Sequence, residues 1–350
     1  MGRRTIDTMP TPGRRDRGPK PLSRATKRVL TTVGALSLIG AGLAGCSAAQ
    51  SGSSAAASTA PAQAASSNQA SAGSSVADPY QKVLVVMEEN ETYGAVLSSA
   101  KAPYLTSLSQ QYGTATAFDA GYPVQCTSLA SYLLLTSGDR RGICDDNPPS
   151  AHPDPSSSIF AEVTGSGRTW RTYAESMPSN CDLTNSGDYA VRHVPATYYT
   201  GLRSQCATSA VPMGAMSSGA FHTDLSSGNL PAYSMLVPNL CDDMHGATNC
   251  PAGNMVTEGD TWLHNVLPAV FASPDYRAGR LVVMIDWDEG DSTSNHIPAL
   301  VLSPTTKHVA VIAPMTDCSM LALSEDVLGL NRLGCAVGEP RRLAAFHLGA

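Results

Sequence analysis

Lys82-Val83-Leu84-Val85-Val86-Met87, followed at once by Glu88-Glu89-Asn90, is the stretch from which the fold is read. The run is short and β-branched, with no polar alternation. A strand with one face in water alternates, whereas one covered on both faces does not. Leu281-Val282-Val283-Met284-Ile285 repeats the pattern and also ends in acids, Asp286 and Asp288-Glu289. Residues 299–302 and 309–312 are further strand candidates. Residues 102–112, 128–135, 158–164, 257–271 and 319–328 read as helices. This alternation predicts a three-layer α/β/α sandwich around a mostly parallel central sheet. In open parallel sheets, ligands bind beyond the carboxyl ends of the strands. Two strand ends that carry carboxylates therefore predict a cation at that edge.

Outward from this core, the N-terminus has a different character. Nine Arg and Lys residues precede an apolar, uncharged stretch from Val29 to Leu43, and Leu43-Ala44-Gly45-Cys46 follows. A basic leader, a short apolar segment and a small-residue cleavage site read as a secretory signal rather than a membrane span. Leu-Ala-Gly-Cys resembles a lipobox, which makes Cys46 the lipidated first residue of the mature chain. The next thirty or so residues are almost entirely Ser, Ala, Gly and Gln, too poor in apolar surface to offset the entropy of ordering. The expected organisation is a signal peptide over 1–45, a flexible tether over 46–78 and one catalytic domain over 79–350. The expected location is extracytoplasmic, anchored to the cell membrane by lipid, with release into the medium as the alternative.

The whole chain carries a formal charge of −6. The segment up to Gly45 holds nine basic and two acidic residues, so the remainder stands near −13. Backbone binding to nucleic acid needs Lys and Arg, and such a partner is excluded. Apart from Cys46 there are eight Cys: Cys126, Cys144, Cys181, Cys206, Cys241, Cys250, Cys318 and Cys335. In an exported chain these read as disulfides, and pairing of neighbours along the sequence is the simplest arrangement. A thiolate zinc site lacks the close Cys pairs it would need.

Four clusters carry the chemistry: Glu88-Glu89-Asn90, Cys126-Thr127-Ser128, Asn239-Leu240-Cys241-Asp242-Asp243-Met244-His245, and Trp287-Asp288-Glu289-Gly290 with Asn295-His296. Carboxylates, an amide oxygen and imidazoles suit a divalent metal ion. A hydroxyl at a helix start has free backbone N–H groups beside it, where phosphate binds and developing charge is stabilised. Metal, hydroxyl and helix start together specify attack on phosphorus.

KVLVVMEENETYGAV, APYLTSL, SYLLLTSGD, YAESMPSNCD, YAVRHVP, PNLCDDMH and MIDWDEGD followed by NHIPALVLSP together resemble the bacterial phosphoesterase family of acid phosphatases and phospholipases C. The resemblance spans about Lys82 to Leu333. It implies an alkaline-phosphatase-like fold, a metal at the sheet edge and a Ser or Thr that is transiently phosphorylated. Residue by residue, it implies Glu89, Asn90, Asp243, His245, Asp288 and Glu289 as metal ligands, and His296 in the NHIPALVLSP segment is a further ligand candidate. His193 falls in a Tyr-x-x-x-His-x-Pro segment, where it would contact phosphate or protonate the leaving group. Family members often carry His-Pro-Ser-Leu-Pro-Asn-Tyr around the nucleophile, which places the nucleophile at Ser128 when aligned on Tyr132. The chain departs from the pattern in places. The His-Pro is Cys126-Thr127 here, the Pro-Asn is Ala130-Ser131, and a Tyr-Ser-His near the C-terminus is Thr316-Asp317-Cys318, so that one His is absent with an Asp in its place.

Competing readings stand beside several of these residues. Ser128 could be a helix N-cap, with Thr127 as substitute nucleophile. Asp242 could replace Asp243, and His296 could be an ordinary loop residue. Glu88 should face away from Glu89, because adjacent strand side chains point to opposite faces. The expected activity is phosphate monoester hydrolysis by a monomer. The alternatives are a phosphodiesterase or phospholipase C and, from another class, a catalytically decayed surface binding lipoprotein.

Overall fold

The apolar run after Gln81 forms the centre of an eight-stranded sheet, with spatial order β5-β4-β6-β1-β7-β8-β2-β9. The strands are β1 (Lys82–Glu88), β2 (Gly113–Ala115), β3 (Phe118–Asp119), β4 (Trp170–Ala174), β5 (Ala210–Pro212), β6 (Tyr233–Val237), β7 (Leu281–Trp287), β8 (Ala299–Leu302), β9 (Val309–Val311) and β10 (Met315–Thr316). β3 and β10 pair separately as a small parallel ribbon. The helices are α1 (Tyr93–Val96), α2 (Pro103–Gln111), α3 (Ser128–Ser137), α4 (Ile159–Gly165), α5 (Arg203–Ser209), α6 (Ala220–Ser226), α7 (Met255–Ala272), α8 (Pro274–Arg277) and α9 (Asp317–Leu328). This computed structural model describes residues 80–349, which lie within one compact unit, Ala72–Ala350. The expected signal peptide, the expected lipidation site Cys46 and the expected tether lie outside the described residues. Among those described, no helix is long and apolar enough to cross a membrane.

The five strands from β5 to β7 run parallel, and only the pairings of β8 are antiparallel. β1 pairs with β7 along its whole length, in a register that sets Glu88 opposite Trp287. Paired residues in parallel strands share a face, so Met284 and Asp286 face one way, and Glu88 and Trp287 the other. The Ser324 hydroxyl of α9 contacts the Met284 sulfur, which places α3 and α9 over the first face. A Cβ added at Gly259 of α7 would meet Glu88 Oε2 at 3.0 Å, which places α7 over the second. Every residue of β7 is buried, and all of β1 after Lys82. Cover on both faces accounts for the missing alternation in their sequences.

The structure adds to the sequence reading and corrects it in places. β4 and β6 complete the parallel block on the far side of β1. β9 stops at Val311, and Ile312, read as strand, is 79% exposed. α9 starts at Asp317, two residues before the expected start, because Thr316 and Ser319 form a reciprocal capping box there. Four disulfides join the neighbouring cysteines: Cys126–Cys144, Cys181–Cys206, Cys241–Cys250 and Cys318–Cys335. Such bonds persist in oxidising compartments, so the chain belongs outside the reducing cytosol.

Candidate active site

The register of β1 and β7 decides which side chains meet. β1 ends at Glu88 and β7 at Trp287, so Glu89-Asn90 and Asp288-Glu289 emerge side by side at one sheet edge. Backbone bonds join the segments: the Asp288 amide donates to the Glu88 carbonyl at 3.1 Å, and the Glu89 amide to the Asp243 carbonyl at 2.7 Å. The second of these draws the loop after β6 to the same edge. Asn90 has φ of 45°, a left-handed conformation that asparagine tolerates well. Its amide N–H donates to Asp288 Oδ1 at 3.0 Å. One terminal atom of its carboxamide lies 3.2 Å from Glu89 Oε2 and 3.3 Å from both Asp288 Oδ1 and Glu289 Oε1. An amide nitrogen there donates to the carboxylates, whereas an amide oxygen there makes a four-oxygen set that needs a cation to hold it together.

Ser128 is the first residue of α3, and Thr127 is the cap residue. The cap reading of Ser128 is therefore set aside. Its hydroxyl donates to Glu89 Oε2 at 3.0 Å, although the residue is 2% exposed. Thr127 Oγ1 is buried with no hydrogen-bond partner. Tyr132, one turn along α3, donates to the other oxygen, Glu89 Oε1, at 2.6 Å. α3 ends in the left-handed Gly138, where a Cβ would come 2.6 Å from the Leu333 carbonyl oxygen, so only glycine fits. Cys126–Cys144 and Cys318–Cys335 brace the starts of α3 and α9. Two departures from the family pattern turn out to be partners, because Ser131 Oγ donates to Asp317 Oδ2 at 2.7 Å.

His193 stacks on Tyr132, with ring centroids 5.2 Å apart. Its Nε2 lies 3.1 Å from Glu89 Oε1 without the direction of a hydrogen bond, and its Nδ1 lies 3.5 Å from Asp243 Oδ2. Glu89, His193 and Asp243 each offer one ligand atom within 4.8 Å of the others, so this buried triad could hold a metal ion. Glu89 is thus shared between the triad and the oxygen cluster beside Ser128. His245 turns away: its Nδ1 meets the Gly246 carbonyl at 2.7 Å, and its Nε2 faces Arg192 Nη2 at 3.2 Å. His296 is exposed, stacked on Tyr93 with its Nε2 on the Thr116 carbonyl, and is not brought to the acids. Stacking and that carbonyl hold its ring on the outside of the loop.

Electrostatics supply a test of whether a cation fits. Burial pushes Glu89 up to about 7, Asp243 to about 6 and Glu289 to about 9. Burial, with the Glu89 charge next, holds Asp288 well above the carboxylate range. Burial lowers His193 to about 4, leaving a neutral imidazole at neutral pH, the form that binds metals. Asp288 Oδ2 and Asp243 Oδ2 are buried with no hydrogen-bond partner. Buried charges are otherwise paired or bound to metal, so this donor set fits a divalent ion.

Glu89, Asn90, Ser128, Asp288 and Glu289 therefore meet, with His193 and Asp243 adjoining and His245 and His296 held apart. Glu88 is fully buried on the α7 side, with both carboxylate oxygens unpartnered. Sequence reasoning missed Arg192, whose guanidinium Nε lies 3.3 Å from Asp146 Oδ2. Its adjacency to His193 was the available signal. It also missed Tyr132 as a partner of Glu89, which the four-residue spacing from Ser128 would have suggested. A hollow of about 420 Å³ lined by Arg141, His152 and Asp154 includes none of these residues, so concavity alone would point elsewhere.

A model described as the phosphoesterase family matches residues 69–330. A Mycobacterium tuberculosis (strain ATCC 25618 / H37Rv) protein, phosphatidylinositol-3-phosphatase, is 25% identical over 270 residues, which is 76% of this chain and 83% of that one. The crystal structure of an alkaline phosphatase superfamily protein from Vibrio parahaemolyticus superposes with a TM-score of 0.50 at 14% identity. That superposition covers 75% of this chain and 70% of the other, and it shows the shared fold.

Proposed function

The chain belongs to the phosphoesterase family, hydrolases that act on phosphoric ester bonds, and from that premise we propose that it hydrolyses phosphate monoesters through a phosphorylated Ser128 with a divalent metal ion. The carrying observation is the buried Ser128 hydroxyl, 3.0 Å from Glu89 Oε2, at the edge of an oxygen cluster built from two strand ends. Glu89, Asn90, Asp288 and Glu289 would hold the ion. When bound, it neutralises these acids, favours the alkoxide of the hydroxyl and polarises the phosphoryl oxygens.

The protein's own groups do the rest. Ser128 Oγ loses its proton and forms the bond to phosphorus while the ester oxygen departs and takes up a proton from solvent; water then attacks phosphorus, releasing inorganic phosphate and returning a proton to the Ser128 hydroxyl. The Leu129 N–H in the first turn of α3, held by Asp146 in this structure, would serve the oxygens that gain charge once it is released. Tyr132 holds Glu89 Oε1, and the stacked His193 fixes that pair from behind. A neutral His193 suits positioning or ligation, not standing general acid catalysis. The name of the M. tuberculosis relative, a phosphatase of a phosphoinositide, supports the monoester reading over diester cleavage. Export fits the disulfides, and lipidation at Cys46 is proposed from the Leu-Ala-Gly-Cys string.

The test is turnover of p-nitrophenyl phosphate and of its bis ester by the purified protein, with and without chelator. Hydrolysis of the monoester that chelator abolishes and added divalent metal restores is expected. Turnover of the bis ester alone would move the assignment to diesters, and turnover of neither would overturn it. Ser128→Ala should remove activity with little change in Tm, because a residue at the first helical position is not the cap.

A further inference from the structure

Asp146 occupies an unusual place beside the nucleophile. Its Oδ1 accepts from the Leu129 amide at 3.1 Å, the backbone N–H next after Ser128. Its Oδ2 lies 3.3 Å from Arg192 Nε. One carboxylate thus bridges the start of α3 and a guanidinium whose side chain is 13% exposed. Arg192 continues inward to His245 and sits one residue before His193, so its charge lies along the row of buried acids. Its positive charge acts on Glu89 and Glu289, and the negative charge of Asp146 opposes it at Glu289.

A phosphoryl group transferred to Ser128 has oxygens that must face donors near that hydroxyl. A backbone N–H of the first helical turn and a guanidinium are the donors suited to the task. The two lie together here, with a two-oxygen anion already across them. Asp288, in contact with Ser128, and His193, next to Arg192, carry fully buried, unpartnered ligand atoms, Oδ2 and Nε2, so the donors adjoin a built site and not a bare helix end. The disulfide Cys126–Cys144 joins the residue two before Ser128 to the residue two before Asp146, which keeps the carboxylate within reach of this seat whether or not it fills it.

We propose that the Leu129 amide and the Arg192 guanidinium form the seat for the non-bridging oxygens of the substrate phosphate, and that the Asp146 carboxylate is an internal stand-in that the substrate displaces. The inference rests on the phosphoester reading and deepens it toward a substrate class. Asp146 competes as a monoanion. A phosphate monoester is mostly dianionic above about pH 6, its second pKa, and gains more from the same two donors. A diester carries a single charge and gains less. The competing carboxylate thereby selects for terminal phosphate groups.

Inorganic phosphate is the probe, titrated calorimetrically into the metal-supplemented protein at pH 7.5, a measurement that does not depend on turnover. Asp146→Asn keeps an oxygen for the Leu129 amide and removes the competing charge. It should tighten phosphate binding by about tenfold, and Arg192→Ala should weaken it by about tenfold or more. KM for p-nitrophenyl phosphate should follow the same order. A structural role would have the opposite signature, with Asp146→Asn binding phosphate no better than the wild type and KM unchanged or raised. As a check free of substitutions, saturating phosphate should speed amide hydrogen exchange in residues 143–147 of the wild type. Exchange there that phosphate leaves unchanged would overturn the displacement. A wild type that hydrolyses monoesters but shows these contrary results refutes this inference alone, whereas absence of hydrolysis refutes the activity itself.

Discussion

Removing the metal should destabilise this protein by an amount that grows with pH, and the buried acids give the size. In the folded chain without metal, burial raises Glu89 from 4.5 to about 7 and Asp243 from 3.8 to about 6. An unfolded chain releases these protons near the ordinary values. Between about pH 4 and 7 the folded state therefore holds more protons than the unfolded one, and stability must fall as pH rises through that window. At about 1.4 kcal/mol for each tenfold change in proton affinity, each group contributes about 3 kcal/mol to the loss. The two charges repel one another, so their costs overlap and together come to about 3 to 6 kcal/mol. With a cation on Glu89, the ligand shared by the oxygen cluster and the Glu89-His193-Asp243 triad, both carboxylates are ionised beside positive charge and the penalty is relieved. At roughly 2–4 °C per kcal/mol, the Tm gap between metal-loaded and chelated protein should be near zero at pH 4.5 and about 6 °C or more at pH 8. Scanning calorimetry across that range, with a chelator and with added divalent metal, reads the gap directly. A gap that is constant with pH, or widest in acid, would refute the reasoning.

Two further outcomes test the frame around the acids. At Gly290 a Cβ would lie 1.9 Å from the Ser294 carbonyl oxygen, a backbone atom that cannot swing aside. Gly290→Ala should cost about 1–3 kcal/mol as an overpacked site and, by shifting Glu289, lower metal content measured by atomic emission after dialysis. A variant with unchanged Tm and metal content would mean that the loop opens freely. Replacing Cys241 and Cys250 by Ser removes a brace of sequence separation 9 around Asp243 and His245. The unfolded-chain entropy released corresponds to about 2–3 kcal/mol, and metal affinity should fall with it. Equal metal affinity before and after, read by competitive titration, would show that the loop holds its shape unaided.

The parts of the fold that could be read from the sequence were those with one simple cause. β1 and β7 are buried on both faces, and burial of that kind leaves an unmistakable apolar run. Their acid-bearing ends brought Glu89, Asn90, Asp288 and Glu289 together as expected from the rule on strand ends. β4 went unread because Arg171 interrupts its apolar run, its charge being met by Asp224 at a position no local pattern reveals. β6 reads as Tyr-Ser-Met-Leu-Val, too short and mixed to separate from loop. The site shows the same division. Strand-end acids that meet follow from topology, whereas the place of His296 depends on whether a ring stacks on Tyr93, and that of Arg192 on a partner 46 positions earlier in the chain. Contacts made between loops leave no periodicity to detect.

The bond between Ser131 and Asp317 constrains how this protein can change over generations. Both positions depart from the family pattern, and each side chain answers the other: the hydroxyl donates to Asp317 Oδ2, while Asp317 Oδ1 is buried with no partner. Replacing Ser131 alone by Asn would press a larger amide against a fully buried carboxyl. Altering Asp317 alone would orphan the hydroxyl of a residue with no exposure. Either single change costs stability, and only the two made together keep both groups satisfied. The two positions should therefore be inherited as a unit, so that a chain with one of these residues carries the other as well.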